Sequence, residues 1–241
     1  MKAGLSIAYI IMLTTHFCMA QEKTTSVTVI ELFTSQGCSS CPAADKLLNE
    51  IIEKADQGNK PVIGLSYHVS YWNYLGWKDP YSNENYNALQ RKYSEALQSS
   101  VYTPQMIIDG KQEFVGSDQE KAKEAIQHAS TKSQDFAITL SNFTQREKDV
   151  TLNYQLNKLP LNQHLIVLLV KKHVENQVPR GENKGRLLKH DNVVIYRQET
   201  LLSKEGSITL PVDVLKESDS LIVYAQDKKT LAISAATKMK L

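Results

Sequence analysis

Val27-Thr-Val-Ile-Glu-Leu-Phe33, Thr34-Ser-Gln-Gly37, Cys38-Ser-Ser-Cys41-Pro42 and Ala43-Ala-Asp-Lys-Leu-Leu-Asn-Glu-Ile-Ile-Glu-Lys-Ala55 follow one another without a gap. The first run alternates and is rich in β-branched residues, which predicts a buried strand. In the last, Ala44, Leu47, Leu48, Ile51, Ile52 and Ala55 recur at three- and four-residue spacing, the mark of an amphipathic helix. Ser39 or Ser40 suits its cap and Pro42 its first turn. A turn over residues 56–61 leads to a second strand, Val62-Ile-Gly-Leu-Ser-Tyr67, ending at His68. Strand, helix and strand joined this closely predict a parallel pair with a right-handed crossover.

Further along, residues 82–99 place Tyr86, Leu89, Tyr93 and Leu97 on one helical face. Val101-Tyr-Thr-Pro-Gln-Met-Ile-Ile-Asp-Gly110 reads as a strand ending in an Asp-Gly turn, with Glu113-Phe-Val115 as its hairpin partner. Ser-Asp-Gln-Glu at 117–120 is a capping box for a helix reaching residue 129. After about residue 131 the texture changes to short strands. They are Phe136–Leu140, Val150–Leu156, His164–Val170, Asn192–Tyr196, Ser207–Val212, Ser220–Ala225 and Leu231–Ala236, separated by turns. That texture predicts an all-β antiparallel sandwich over residues 131–241, following an α/β domain over residues 21–130.

Composition fits a globular chain. Lys plus Arg number 28 against 26 Asp plus Glu, and apolar residues make up 41% of 241. The balanced charge, with no basic run and no aromatic RNA-binding signature, argues against nucleic acid as a partner. Met1-Lys2, the apolar Leu5–Leu13 run and the small-residue site ending at Ala20 read as a secretory signal peptide over residues 1–20. That run is short of the ~20 residues a membrane span needs, so stable membrane insertion is not expected. Phe17 before Cys18 argues against a lipoprotein site. The expected location is periplasmic or secreted.

Losing Cys18 leaves two thiols, Cys38 and Cys41, in a compartment that permits disulfides. So small a loop gains little entropic stabilisation, which points to reactivity. A thiol at a helix start meets unpaired N–H groups and the positive end of the helix dipole, and both favour the nucleophilic thiolate. Cys38 is expected to be the exposed attacking group and Cys41 the buried resolving one. Half a zinc site is the other reading, although no second ligand pair follows. His68 at a strand end is a candidate general base, thiolate tuner or metal ligand, or a histidine bonded to loop backbone.

Strand, Cys-x-x-Cys at a helix start, strand, and then Thr103-Pro104 leading into a hairpin resemble the thioredoxin fold. The resemblance implies a cis Thr103–Pro104 bond beside the disulfide and a Thr103 backbone that pairs with an extended substrate. It also puts Glu31 near the place of a buried acid that relays a proton to the second cysteine, unless strand alternation turns it away. Val29-Ile-Glu-Leu-Phe-Thr-Ser-Gln-Gly-Cys-Ser-Ser-Cys-Pro42, Leu65-Ser-Tyr-His-Val-Ser-Tyr-Trp-Asn-Tyr-Leu-Gly-Trp-Lys-Asp-Pro80, Tyr102-Thr-Pro-Gln-Met106 and Gly181-Glu-Asn-Lys-Gly185 together resemble the secreted, thioredoxin-like DUF1223 family. That likeness places Tyr71, Trp72, Tyr74 and Trp77 over the disulfide, as an apolar wall for a peptide or as a small core anchoring an insertion. Residues 180–185 are expected to form a tight turn or a loop facing a partner. The functional expectation is an extracytoplasmic thiol–disulfide oxidoreductase acting on a thiol- or disulfide-bearing protein or peptide. It needs no cofactor and no metal. The alternatives are a Cu(I)-binding module using Cys38, Cys41 and His68, and a non-catalytic interaction module.

Overall fold

Strand β1 (Thr28–Thr34), helix α1 (Cys41–Gln57) and strand β2 (Val62–His68) open the computed structural model. It describes residues 26–132, 134 and 136–241. The expected signal peptide lies outside the described residues. β1 and β2 run parallel, with Val29 opposite Ile63 and Phe33 opposite Tyr67. α1 buries Ala44, Leu48, Ile52 and Ala55, one stripe of its 17 residues. Gly64 lets the helix lie close to β2, since a Cβ there would fall 2.6 Å from the Ile52 side chain.

Helix α2 (Glu84–Leu97) follows an irregular aromatic segment and is capped by the Asn83 side chain, which accepts from the Asn85 N–H. The hairpin of β3 (Gln105–Ile108) and β4 (Gln112–Val115) turns through Asp109 and Gly110, both at positive φ. At Gly110 a Cβ would meet the Leu231 carbonyl oxygen. β3 lies antiparallel to β1. Helix α3 (Gln119–Ser130) is capped by Asp118, whose carboxylate accepts from the Lys121 N–H.

Beyond residue 131 come β5 (Ile138–Gln145), β6 (Asp149–Leu156), β7 (Gln163–Gln177), β8 (Leu187–Leu201), β9 (Glu205–Pro211), the one-turn α4 (Val212–Lys216), β10 (Ser220–Asp227) and β11 (Ile233–Lys240). The expected architecture, a thioredoxin-like domain followed by an all-β antiparallel sandwich, is not what they build. The sheet order is β11-β10-β7-β8-β2-β1-β3-β4, one mixed sheet of eight strands with members from both sides of residue 131. β8 lies parallel to β2, with Ser66 beside Val193. β5, β6 and β9 alone form a separate three-stranded sheet.

The reason lies in the hydrophobic pattern. Leu165–Val170 and Leu221–Ala225 are unbroken apolar runs, and every residue in them is buried. A sandwich strand alternates, because one of its faces meets water; an unbroken run has both faces covered. On one face of the large sheet, Phe33, Tyr67, Ile166 and Tyr224 share a core with Tyr86, Leu89 and Tyr93 of α2. The opposite face is divided. α1 and α3 cover Leu32, Met106 and Phe114, while the three-stranded sheet covers Leu165, Val167, Leu221 and Val223.

Candidate functional site

Cys41 is the first residue of α1, and it forms a disulfide with Cys38. The Cys38 N–H donates to the Ser35 carbonyl at 3.2 Å, and the Cys41 N–H to the Cys38 carbonyl at 3.2 Å. Ser40 stands at the cap position without a side-chain capping bond. Ser39 and Ser40 are exposed, but Cys38 is only 1% exposed and Cys41 is fully buried. The expectation of an open Cys38 is therefore corrected: its sulfur is roofed over.

The roof is built from two segments. The Thr103–Pro104 peptide is cis, and Thr103 Oγ1 donates to Cys38 Sγ at 3.4 Å. Trp72 Nε1 in turn donates to Thr103 Oγ1 at 2.8 Å. Gly37 makes room for the tryptophan, since a Cβ there would stand 2.9 Å from Trp72 Cβ. The rest of the aromatic segment is divided in its contacts. Trp77 Nε1 donates to Gln36 Oε1 at 3.1 Å, and the Tyr71 hydroxyl to Gln90 Oε1 at 3.1 Å. Tyr74 is 77% exposed and stacks on Trp72, with ring centroids 6.5 Å apart.

Behind the cysteine turn lies a buried polar cluster. Asp79 Oδ2 accepts from the Gln36 N–H at 2.9 Å and lies 2.7 Å from His68 Nδ1. Burial alone would raise the Asp79 pKa; the charge and hydrogen bond of His68, with the Gln36 and Tyr81 N–H groups, outweigh it and hold it below the usual value. The His190 ring, from β8, stands 4.6 Å from that of His68. His190 Nδ1 lies 3.5 Å from Asp45 Oδ1, which accepts from Thr34 Oγ1 at 2.7 Å. Burial disfavours the charged imidazole, but Asp45 first, then Asp79 and Asp191, raise the His190 pKa above its ordinary value. Among the described residues, Asp45 Oδ2, His68 Nε2 and both ring nitrogens of His190 have no hydrogen-bond partner. Sequence reasoning named His68 and missed Asp45, Asp79 and His190. The available signal was an aspartate inside the apolar stripe of α1.

Glu31 does not join this cluster. Strand alternation points it at the α2 face, where it accepts from the Tyr93 hydroxyl and, at 3.0 Å, from that of Tyr224. α1 and its cysteine lie across the sheet, which corrects the expected relay to Cys41. Desolvation raises the Glu31 pKa against the opposing pull of Tyr93, Tyr224 and Arg197. Nor do Cys38, Cys41 and His68 converge: among the described residues no three His, Cys, Asp or Glu side chains are placed to share a metal ion.

The connection at 178–186, between β7 and β8, does reach the cysteines. Buried Asn183 donates its amide to the Gln36 and Cys38 carbonyls, each at 2.9 Å. Arg186 holds the Asn183 Oδ1 at 2.9 Å. Glu182 Oε2 accepts from the Ser39 N–H at 3.0 Å.

Fold and site define a protein with a Cys-x-x-Cys disulfide at the amino end of a helix, mounted on a mixed eight-stranded sheet. The family model described as protein of unknown function (DUF1223) matches residues 29–226, and the chain belongs to that family. It is similar to a crystal structure of an Agrobacterium tumefaciens protein at 27% identity and a TM-score of 0.68, over 92% of this chain and 96% of that one. A β-glucosidase from Kluyveromyces marxianus aligns at 12% identity with a TM-score of 0.20, over 45% of this chain and 14% of its own. That alignment carries no argument. No curated protein matches the chain.

Proposed function

We propose that the protein is a thiol–disulfide oxidoreductase acting outside the cytoplasm on a thiol-bearing protein or peptide. The observation that carries this reading is the Cys38–Cys41 disulfide at the start of α1, with Thr103 against the Cys38 sulfur. Once Trp72 swings away, a substrate thiolate attacks Cys38 Sγ. The new S–S bond forms as the Cys38–Cys41 bond breaks, and its electron pair leaves on Cys41 Sγ. A second substrate thiolate then attacks the mixed disulfide. The substrate leaves as a disulfide, and the protein keeps two electrons and takes up two protons. The reverse sequence reduces a substrate disulfide. The exposed Tyr74 and the edge of Trp72 offer an apolar surface beside the sulfur for the incoming chain.

Burial of Cys38 favours a second reading, in which the disulfide braces the turn that joins β1 to α1 and the protein is an interaction module. Dithiol-dependent insulin reduction separates the two. On the first reading the parent protein reduces insulin, Cys38→Ser does not, and Cys41→Ser accumulates mixed disulfides. Equal rates for parent and Cys38→Ser would leave the brace.

A further inference from the structure

We propose that Glu182, carried on the β7–β8 tip, sets the acidity of Cys38 by holding a competing negative charge at the amino end of α1. The inference rests on the thiol-exchange reading above. A reduced Cys38 would form its thiolate where the helix offers free N–H groups. The Ser39 N–H lies on the peptide that follows Cys38, just ahead of the α1 cap residue Ser40, and Glu182 Oε2 already takes it at 3.0 Å. A Cys38 thiolate would have to compete for that donor and would be repelled by the carboxylate, so it is disfavoured on both counts.

The carboxylate is held there by its neighbours. Asn183 anchors the tip to the Gln36 and Cys38 carbonyls, and Arg186 fixes the Asn183 amide. Gly181 and Gly185, at φ +81° and +80°, let the chain turn over the cysteines. Glu182 is ionised at neutral pH as any exposed glutamate is, and the Ser39 hydroxyl and N–H lower its pKa further. The other ionisable groups around the turn are Asp79 and His68 behind Gln36, Asp45 and His190 beneath α1, and Arg186 on Asn183. Among these Glu182 bonds the peptide next to the attacking sulfur. Sequence reasoning set residues 180–185 aside as a turn or a partner-facing loop; their contacts give them a part in the exchange site.

The test is a thiolate titration of the reduced protein by absorbance at 240 nm, with iodoacetamide rates as a second measure. Glu182→Gln keeps a hydrogen-bond acceptor and removes the charge. It is expected to lower the Cys38 pKa by about half a unit to one unit, a roughly three- to tenfold gain in thiolate below the pKa. Equilibrium with a dithiol is expected to shift toward the reduced protein by up to about the same factor. Glu182→Asp keeps the charge and the parental pKa, and the gap between parent and Glu182→Gln narrows in ~1 M salt. An unchanged or raised pKa in Glu182→Gln, or a gap indifferent to salt, overturns the proposal. The titration needs no substrate. A parent that fails to reduce insulin while Glu182→Gln still shifts the pKa would sink the oxidoreductase reading and leave this one standing.

Discussion

His68 and His190 meet edge to face, 4.6 Å between ring centroids, with both side chains shut off from solvent. Each has its own carboxylate, Asp79 for His68 and Asp45 for His190. His190 holds its proton more tightly in the folded protein than at its ordinary value of 6.5. Its contribution to stability is present below about pH 6.5 and is lost as pH rises through the folded value. Asp79, held below 3.8, behaves oppositely: its contribution is present above about pH 4 and is lost as pH falls through its folded value. Urea unfolding is expected to show stability declining above about pH 6.5, with a slope of up to ~1.4 kcal/mol per pH unit. His190→Gln should flatten that slope. A slope that survives in His190→Gln would place its origin elsewhere.

Glu31 is expected to have no part in sulfur chemistry, because the sheet separates it from α1. Its folded pKa stands above 4.5, so stability is present below about pH 4.5 and is lost as pH rises through the folded value. Glu31→Gln should remove that loss. It should leave insulin reduction within about twofold of the parent, as independent sites do. A tenfold fall in rate, with the fold intact by circular dichroism, would restore the relay.

Trp72 is held beside the disulfide by its bond to Thr103, which in turn bonds Cys38 Sγ. Removing one such hydrogen bond costs about 1 kcal/mol, so Trp72→Phe should speed reduction of the Cys38–Cys41 bond by dithiothreitol roughly fivefold. Trp72→Ala, which also removes the ring, should exceed that. Slower reduction in both variants would show that the ring assists attack.

Residues 26–130 are expected not to fold alone. Phe33, Tyr67 and Tyr93 share their core with Ile166, Leu168, Ile222 and Tyr224, all from beyond residue 131. Without β8 the edge of β2 also lies open, an invitation to aggregate. A cooperative thermal transition in this fragment would contradict the account.

Much of this was legible in the residues. The β1–α1–β2 unit, the hairpin at Asp109-Gly110 and the presence of strands beyond 131 follow from period, caps and turns, although β7 and β8 run to 15 residues each, well past the expected 164–170 and 192–196. What escaped was which strands would share a sheet. Leu165–Val170 has no alternation, and its double-sided burial was the clue against a sandwich. The cysteine site was equally half readable. Cys38, Cys41 and Thr103 lie in recognisable motifs. Asn183 and His190 reach it only through the β7–β8 pair, whose contacts no local pattern encodes.

Asn183 and Cys38 stand 145 positions apart along the chain, yet their bond helps seal the cysteine turn. At ~5–20 residues per second, the ribosome finishes the cysteines on the order of ten seconds before it reaches that asparagine. Until that asparagine is in place, the Gln36 and Cys38 carbonyls lack the amide that closes the cysteine turn in the folded protein.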